Sequence, residues 1–291
     1  MNNLRGILMI ILAMAGFTIE DMFIKSLSAT LPTGQIMIGI GLGCALLFAG
    51  LALRNGENLF APAAWRPLLL LRAASEAVAT IFFMSALARV DISTVAAVFQ
   101  ATPLAIAMGA ALFLGDQVGW RRWSAIGLGF FGVLLIIRPG LDGFEPASLL
   151  VLVTVVAVAM RDLVTRFIDS SVSSSIVSFQ GFGSMVVGGA LLLPFSGQAL
   201  VLPQGNEPLM FAGAILFGAI GYFGIVTAMR VGQPAVVAPY RYTRLIFSIL
   251  AGMLVFGERP DLLTLTGAAL IIGSGLYTFL RERRLAEPAA A

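Results

Sequence analysis

Ten runs of 18 to 24 mostly apolar residues follow one another along the chain, separated only by short polar breaks. They cover residues 4–27, 32–54, 67–89, 92–115, 121–138, 146–167, 173–195, 208–230, 234–257 and 261–281. A helix crossing a bilayer needs about 20 such residues. A membrane barrel would instead alternate apolar and polar residues in shorter strands. The breaks carry turn-forming residues, as in Leu31-Pro32-Thr33-Gly34, Arg138-Pro139-Gly140 and Pro203-Gln204-Gly205-Asn206. The chain is therefore predicted to be an all-α integral membrane protein with ten transmembrane helices. The first run, with Arg5 ahead of it and Ser28-Ala29 behind, has the outline of a signal peptide. Glu20, Asp21 and Lys25 follow its apolar stretch, so it reads as an uncleaved helix.

Composition removes other classes. Charged residues make up 11% of the chain and hydrophobic ones 59%, against about 25% and 45–50% in soluble domains. A soluble enzyme, a nucleic-acid-binding domain and a disordered chain are excluded. The absence of histidine removes imidazole metal sites, triads and proton relays. Cys44, the one cysteine, stands in an apolar run as a small buried hydrophobe. Phosphate-cradling glycine loops and metal-ligand spacings are absent from the sequence, and its loops are too short for a nucleotide-hydrolysing domain. The expectation is no catalytic residue, no cofactor, no metal and no nucleic-acid partner.

Lys and Arg in alternate loops set the orientation. Ten lie on the amino-terminal side (Arg5, Arg54, Arg66, Arg121, Arg122, Arg166, Arg230, Arg281, Arg283, Arg284) and four on the other (Lys25, Arg89, Arg138, Arg259). Both termini are thus expected in the cytoplasm.

The halves of the chain resemble each other at an offset of 141–142 residues. Asp21–Lys25 matches Asp162–Arg166, Ala88-Arg89-Val90 matches Met229-Arg230-Val231, and Leu114-Gly115-Asp116 matches Phe256-Gly257-Glu258. Each unit holds five spans, so the second copy must enter the membrane inverted. Inverted repeats recur in secondary transporters, with the substrate site near the midplane. The expected division is a first repeat over 1–140, a second over 146–284 and a cytoplasmic tail over 285–291.

These residues resemble the drug/metabolite transporter superfamily, in particular its EamA family. Its pattern is a basic residue closing the first helix of each half, here Lys25 and Arg166. A mid-helix proline, here Pro103, and a glycine–acid pair, here Gly115-Asp116 and Gly257-Glu258, mark the fourth helix of each half. The chain departs from the pattern at Phe17-Thr18, at Glu20 and Asp21, and over Ala238–Arg244. It looks most like the YddG-type exporters of amino acids. The resemblance implies a multi-pass protein of the bacterial inner membrane with a central cavity and alternating access.

Charges inside spans are costly and mark cavities or partners. Arg72 and Glu76, four apart, share one helical face and read either as a self-neutralising pair or as a coupling or substrate-ammonium site. Arg241 and Arg244 read either as receivers of an anionic substrate group or as members of interhelical salt bridges with Glu20, Asp21, Glu76 or Asp162. Pro239 just before them predicts a kink. Asp21 with Lys25 and Asp162 with Arg166 read as helix-end or gate pairs, and Glu20 with its repeat mate Arg161 as a latch. Phe83, Phe99, Gln100, Tyr222 and Tyr240 are candidate lining residues. Glycine stripes such as Gly39-Ile-Gly41-Leu-Gly43 read as close helix packing, with a dimer face as the alternative.

The expected function is export of an amino acid, aromatic or otherwise neutral, across the bacterial inner membrane. Arg241 or Arg244 would take the carboxylate and Glu76 the ammonium, with protons as a candidate coupling ion through Glu76. Partners expected are a small amphipathic metabolite and the lipid bilayer, the protein being a monomer or weak homodimer. The alternatives are a same-fold transporter of a vitamin or nucleotide-related compound, and a channel-like facilitator.

Overall fold

A computed structural model describes residues 2–116, 119–141, 143–168, 172–197 and 199–286. The expected tail therefore lies outside the described residues beyond residue 286, as do the side chains of Arg230, Arg283 and Arg284. Among the described residues all regular structure is helical: α1 (Asn3–Leu27), α2 (Thr33–Arg54), α3 (Pro67–Leu87), α4 (Ile92–Phe99), α5 (Thr102–Phe113), α6 (Trp120–Ile137), α7 (Leu149–Thr165), α8 (Ser174–Ser196), α9 (Glu207–Val231), α10 (Pro234–Val237), α11 (Thr243–Val255) and α12 (Leu262–Ala286). Short 3-10 turns occupy Pro62–Trp65, Pro146–Ser148 and Ala238–Tyr242.

Nine segments among the described residues are long and apolar enough to cross a bilayer, α4 and α5 counting together. Two expected spans are not continuous helices, which corrects the sequence reading. The fourth breaks at Gln100 and Ala101, with Pro103 in the first turn of α5. The ninth divides into α10, the 3-10 stretch and α11 rather than merely kinking at Pro239. A proline lacks the amide that would continue the ladder and its ring crowds the preceding turn.

The chain forms two compact units, and α1 and α9 each contribute to both. In the unit built from Glu20–Arg89 and Leu150–Gly218, α2 and α8 meet backbone to backbone. A Cβ on Gly34 would stand 2.7 Å from the Gly189 carbonyl oxygen, so a methyl group there has no room. Gly39 and Gly43 receive Phe211 and Ile215 of α9, and Gly41 receives Val186 of α8. Helices of the same chain thus occupy this glycine stripe, as small residues permit in membranes.

In the unit built from Met1–Ile19, Val90–Leu149 and Ala219–Ala291, α6 and α12 are the most extensive helix pair. They run antiparallel: Gly132 packs on Gly267, Gly129 on Ser274, and Gly119 beside Arg281. Phe17 and Ala13 of α1 fit against Gly221 and Gly224 of α9. Large apolar side chains such as Leu46, Phe113, Val187 and Leu254 are exposed, which is the surface of a protein solvated by lipid.

Candidate functional site

Both helix breaks belong to the unit containing residues 90–149 and 219–291. Gln100, in the turn between α4 and α5, is buried, and its side-chain amide donates to the Arg241 carbonyl at 3.2 Å. Arg241 lies in the 3-10 stretch with its side chain exposed. Non-helical backbone at membrane depth is tolerated only within protein or around a cavity, so the breaks are the natural place for a substrate to meet backbone polar groups.

Arg244, in the first turn of α11, directs its guanidinium over two rings, 5.2 Å from the Phe17 centroid and 5.4 Å from that of Phe99. A planar cation against aromatic faces is held by the ring quadrupoles. Its five N–H donors form a fork suited to a carboxylate. Phe99 was expected as a lining residue. Phe17 was legible only as a departure from the family pattern, because nothing in its spacing pairs it with residue 244. Tyr240 is 38% exposed and Tyr222 of α9 is half-buried.

The breaks are framed by equivalent ends. After α5 and α11 the chain turns through Gly115 (φ 75°) and Gly257 (φ 67°), a left-handed conformation that glycine adopts without penalty. The amides of Asp116 and Glu258 then fold back to the carbonyls of Ala110 and Gly252. Glu258 is buried and caps α4 from outside that helix. Its carboxylate accepts from the Ile92 amide at 2.7 Å, the Ser93 amide at 3.1 Å and the Ser93 hydroxyl at 2.7 Å. The sequence marked this acid as part of a repeated pair without indicating its target.

The other unit holds an ionic cluster. Arg161 of α7 binds both oxygens of Glu76 of α3, at 3.0 and 3.1 Å, and binds Asp162 Oδ1 through Nε at 2.8 Å and Nη2 at 2.7 Å. Arg72 stands 3.7 Å from Glu76 and donates to the Thr165 hydroxyl at 3.1 Å. Gly181 of α8 leaves room beside Arg72 and Glu76. Two guanidiniums and two carboxylates sum to zero, which is how four ionisable groups persist within spans. The Arg72–Glu76 face was expected; Arg161 as the bidentate partner of Glu76 was not.

Of the other expected residues in this unit, Asp21 is buried and Lys25 donates to the Leu87 carbonyl at 3.4 Å. The carboxylate of Glu20 lies against Gly218 of α9. Phe83 is half-buried on α3. The arginines and aromatic residues of the breaks and the Glu76 cluster thus belong to different units.

The sequence pattern described as the EamA-like transporter family matches residues 4–138 and again 146–280. The chain belongs to this family, within the drug/metabolite transporter superfamily, and is a multi-pass protein of the bacterial inner membrane. It is 28% identical over 193 residues to an S-adenosylmethionine uptake transporter of Rickettsia felis, covering 66% of this chain and 65% of that protein. It is 30% identical over 207 residues to a riboflavin transporter of Rhizobium johnstonii, covering 69% and 66%. Over 276 residues it is 24% identical to the pseudopaline exporter CntI of Pseudomonas aeruginosa, covering 92% and 93%. The match thus spans just under two thirds of the length of the first two relatives. A crystal structure sharing 19% identity superposes with a TM-score of 0.59 over 97% of this chain and 99% of that one, a likeness of fold.

Proposed function

We propose that this protein is a secondary transporter for a small metabolite that joins a planar ring to a carboxylate. The observation that carries this reading is the Arg244 guanidinium held over Phe17 and Phe99 beside two broken helices. Its fork receives the carboxylate, the rings and Tyr240 pack against the apolar part, and backbone groups of the breaks supply further hydrogen bonds. Arg241, Gln100 and Tyr222 complete this half of the site. Glu76, Arg72, Arg161 and Asp162 form a neutral cluster that acts in gating or coupling, together with Glu20, Asp21 and Lys25. A substrate ammonium or a proton at Glu76 competes with the Arg161 Nη1 bonds, while Asp162 keeps hold of that arginine through Nε and Nη2. The two EamA-type repeats, 1–140 and 146–284, exchange access by moving against each other.

S-adenosylmethionine is the leading candidate, because it is at once a nucleoside and an amino acid and is the named substrate of a relative with uptake activity. Riboflavin, the named substrate of another relative, has a planar ring but no carboxylate and is the vitamin alternative. The second reading is export of aromatic or other neutral amino acids, which the carboxylate-binding fork also fits. Counterflow in liposomes tests the readings without depending on direction. Liposomes that carry the protein and are preloaded with each unlabelled compound should accumulate its labelled form saturably for one of the three classes. Saturable counterflow of riboflavin alone would overturn the carboxylate reading, its absence for all three would overturn the transporter reading, and non-saturating flux would indicate a channel.

A further inference from the structure

Helices α6 and α12 touch through Gly132 and Gly267, then part toward the start of α6. They leave there a groove of about 460 Å³, a volume within the range of ligand sites. One face of α6 (Trp120, Arg121, Leu128) and one face of α12 (Gly273, Tyr277) line it. Gly273 contributes to the width, since a Cβ there would meet nothing within 4 Å. The walls are nearly all apolar and open outward: Trp120, Leu128 and Tyr277 are exposed.

The head of the groove is basic. Arg121 stacks its guanidinium 5.4 Å over the Trp120 ring. Arg281, one turn beyond Tyr277 on α12, lies beside Gly119, next to Trp120, with Nη2 3.7 Å from where a Cβ would stand. Its Nη1 is buried and has no hydrogen-bond acceptor among the described residues. A buried guanidinium N–H without an acceptor is unfavourable, and an acceptor from outside the chain removes that penalty. Trp and Tyr at this level match the headgroup zone of a bilayer.

We infer that this groove is a binding site for an anionic phospholipid. One acyl chain lies along the apolar walls and the headgroup phosphate accepts from Arg121 in the groove's lining, with Arg281, one turn beyond Tyr277, joining it by swinging its guanidinium outward. Basic pockets between membrane helices recognise anionic headgroups in this way. The charge complementarity selects an anionic over a zwitterionic lipid, and the apolar groove selects a lipid over free phosphate.

Native mass spectrometry of the full chain, equilibrated with equal amounts of phosphatidylglycerol and phosphatidylcholine, tests the assignment. One phosphatidylglycerol should be retained in preference, and excess inorganic phosphate should leave it in place. Arg281→Gln should reduce the preference about fivefold. Gly273→Leu, which fills the groove, should abolish retention. Gly127→Leu, a matched insertion at an exposed α6 glycine with open space around it, should retain the lipid as the parent does. Equal retention of the two lipids would overturn the assignment, as would a preference that survives both Arg281→Gln and Gly273→Leu. Displacement by inorganic phosphate, or a lipid-free dimer covering the groove, would overturn it too.

Discussion

The side-chain amide of Gln100 donates to the backbone carbonyl of Arg241, a residue 141 positions away that occupies the equivalent place in the second repeat. Each stands at the break of its own span. A broken membrane helix exposes carbonyls that lipid cannot satisfy, and here one repeat supplies the donor for the other. The pairing is asymmetric, because the first repeat carries a neutral amide where the second carries a guanidinium. A pseudo-symmetric scaffold thereby acquires a charged side.

Gln100→Leu takes the side-chain donor away from that carbonyl. The loss should be about 1–3 kcal/mol, read as a lowered melting temperature of the purified protein. An unchanged melting temperature would mean the break is satisfied by other groups.

Removing Glu76 leaves Arg161 and Arg72 with excess positive charge inside the membrane. Glu76→Gln should destabilise by about 3 kcal/mol, and Arg161→Gln by a similar amount. The double variant should lose much less than the sum, since both changes disrupt one pair. A double-mutant cycle on denaturant midpoints measures the coupling, and additive losses would refute it.

Glu258→Ala takes three hydrogen bonds from the start of α4. Hydrogen exchange at the Ile92 and Ser93 amides should accelerate while exchange in α8 stays unchanged. Stability should fall by about 2 kcal/mol. Equal exchange at Ile92 in parent and variant would remove the cap from the account.

Arg244→Lys keeps the charge but loses the planar fork and its stacking. Transport of the identified substrate should fall about tenfold in kcat/KM, mainly through KM, with Phe17→Leu giving a smaller change in the same direction. Uptake assays over a range of substrate concentration separate the two constants. Full activity of both variants would move substrate recognition elsewhere.

Asp261, just before α12, gives a pH signature outside the spans. Burial acts to raise its pKa, but hydrogen bonds from the Thr264 amide and hydroxyl and the Arg138 guanidinium outweigh this and hold the carboxyl below its usual value. Stability from such a group is fully present above the unfolded pKa, about 3.9, and is lost as pH falls through the lower folded value. Asp261→Asn should therefore lower the melting temperature at pH 7 and flatten its decline on acidification. The effect should stay under about 1 kcal/mol, because the Asp261 side chain is 47% exposed. Identical pH profiles in parent and variant would contradict this.

Local features of the site were legible where one helix carries both partners. Arg72 and Glu76 share a face because they are four apart, and the glycine–acid pairs recur at one offset. Partners on separate helices were not legible. Spacing relates Arg161 to its own neighbours and to its repeat mate Glu20, whereas its bond to Glu76 spans 85 residues. Pro239 announced a kink and Pro103 stood only as a mid-helix proline of the family pattern, and whether a span kinks or breaks depends on what satisfies the released backbone.

The sequence by itself determined the number and length of the apolar segments and the two-fold repeat, because a bilayer imposes about 20 apolar residues on each crossing. It also confined the charges to a few places, since each one inside lipid must be compensated. Only the tertiary structure decided how that compensation is made. Helix packing brings Arg161 to Glu76, Glu258 to the start of α4, and Phe17 and Phe99 to Arg244. These pairings depend on distances of a few ångströms between segments far apart in the chain, which no local periodicity encodes.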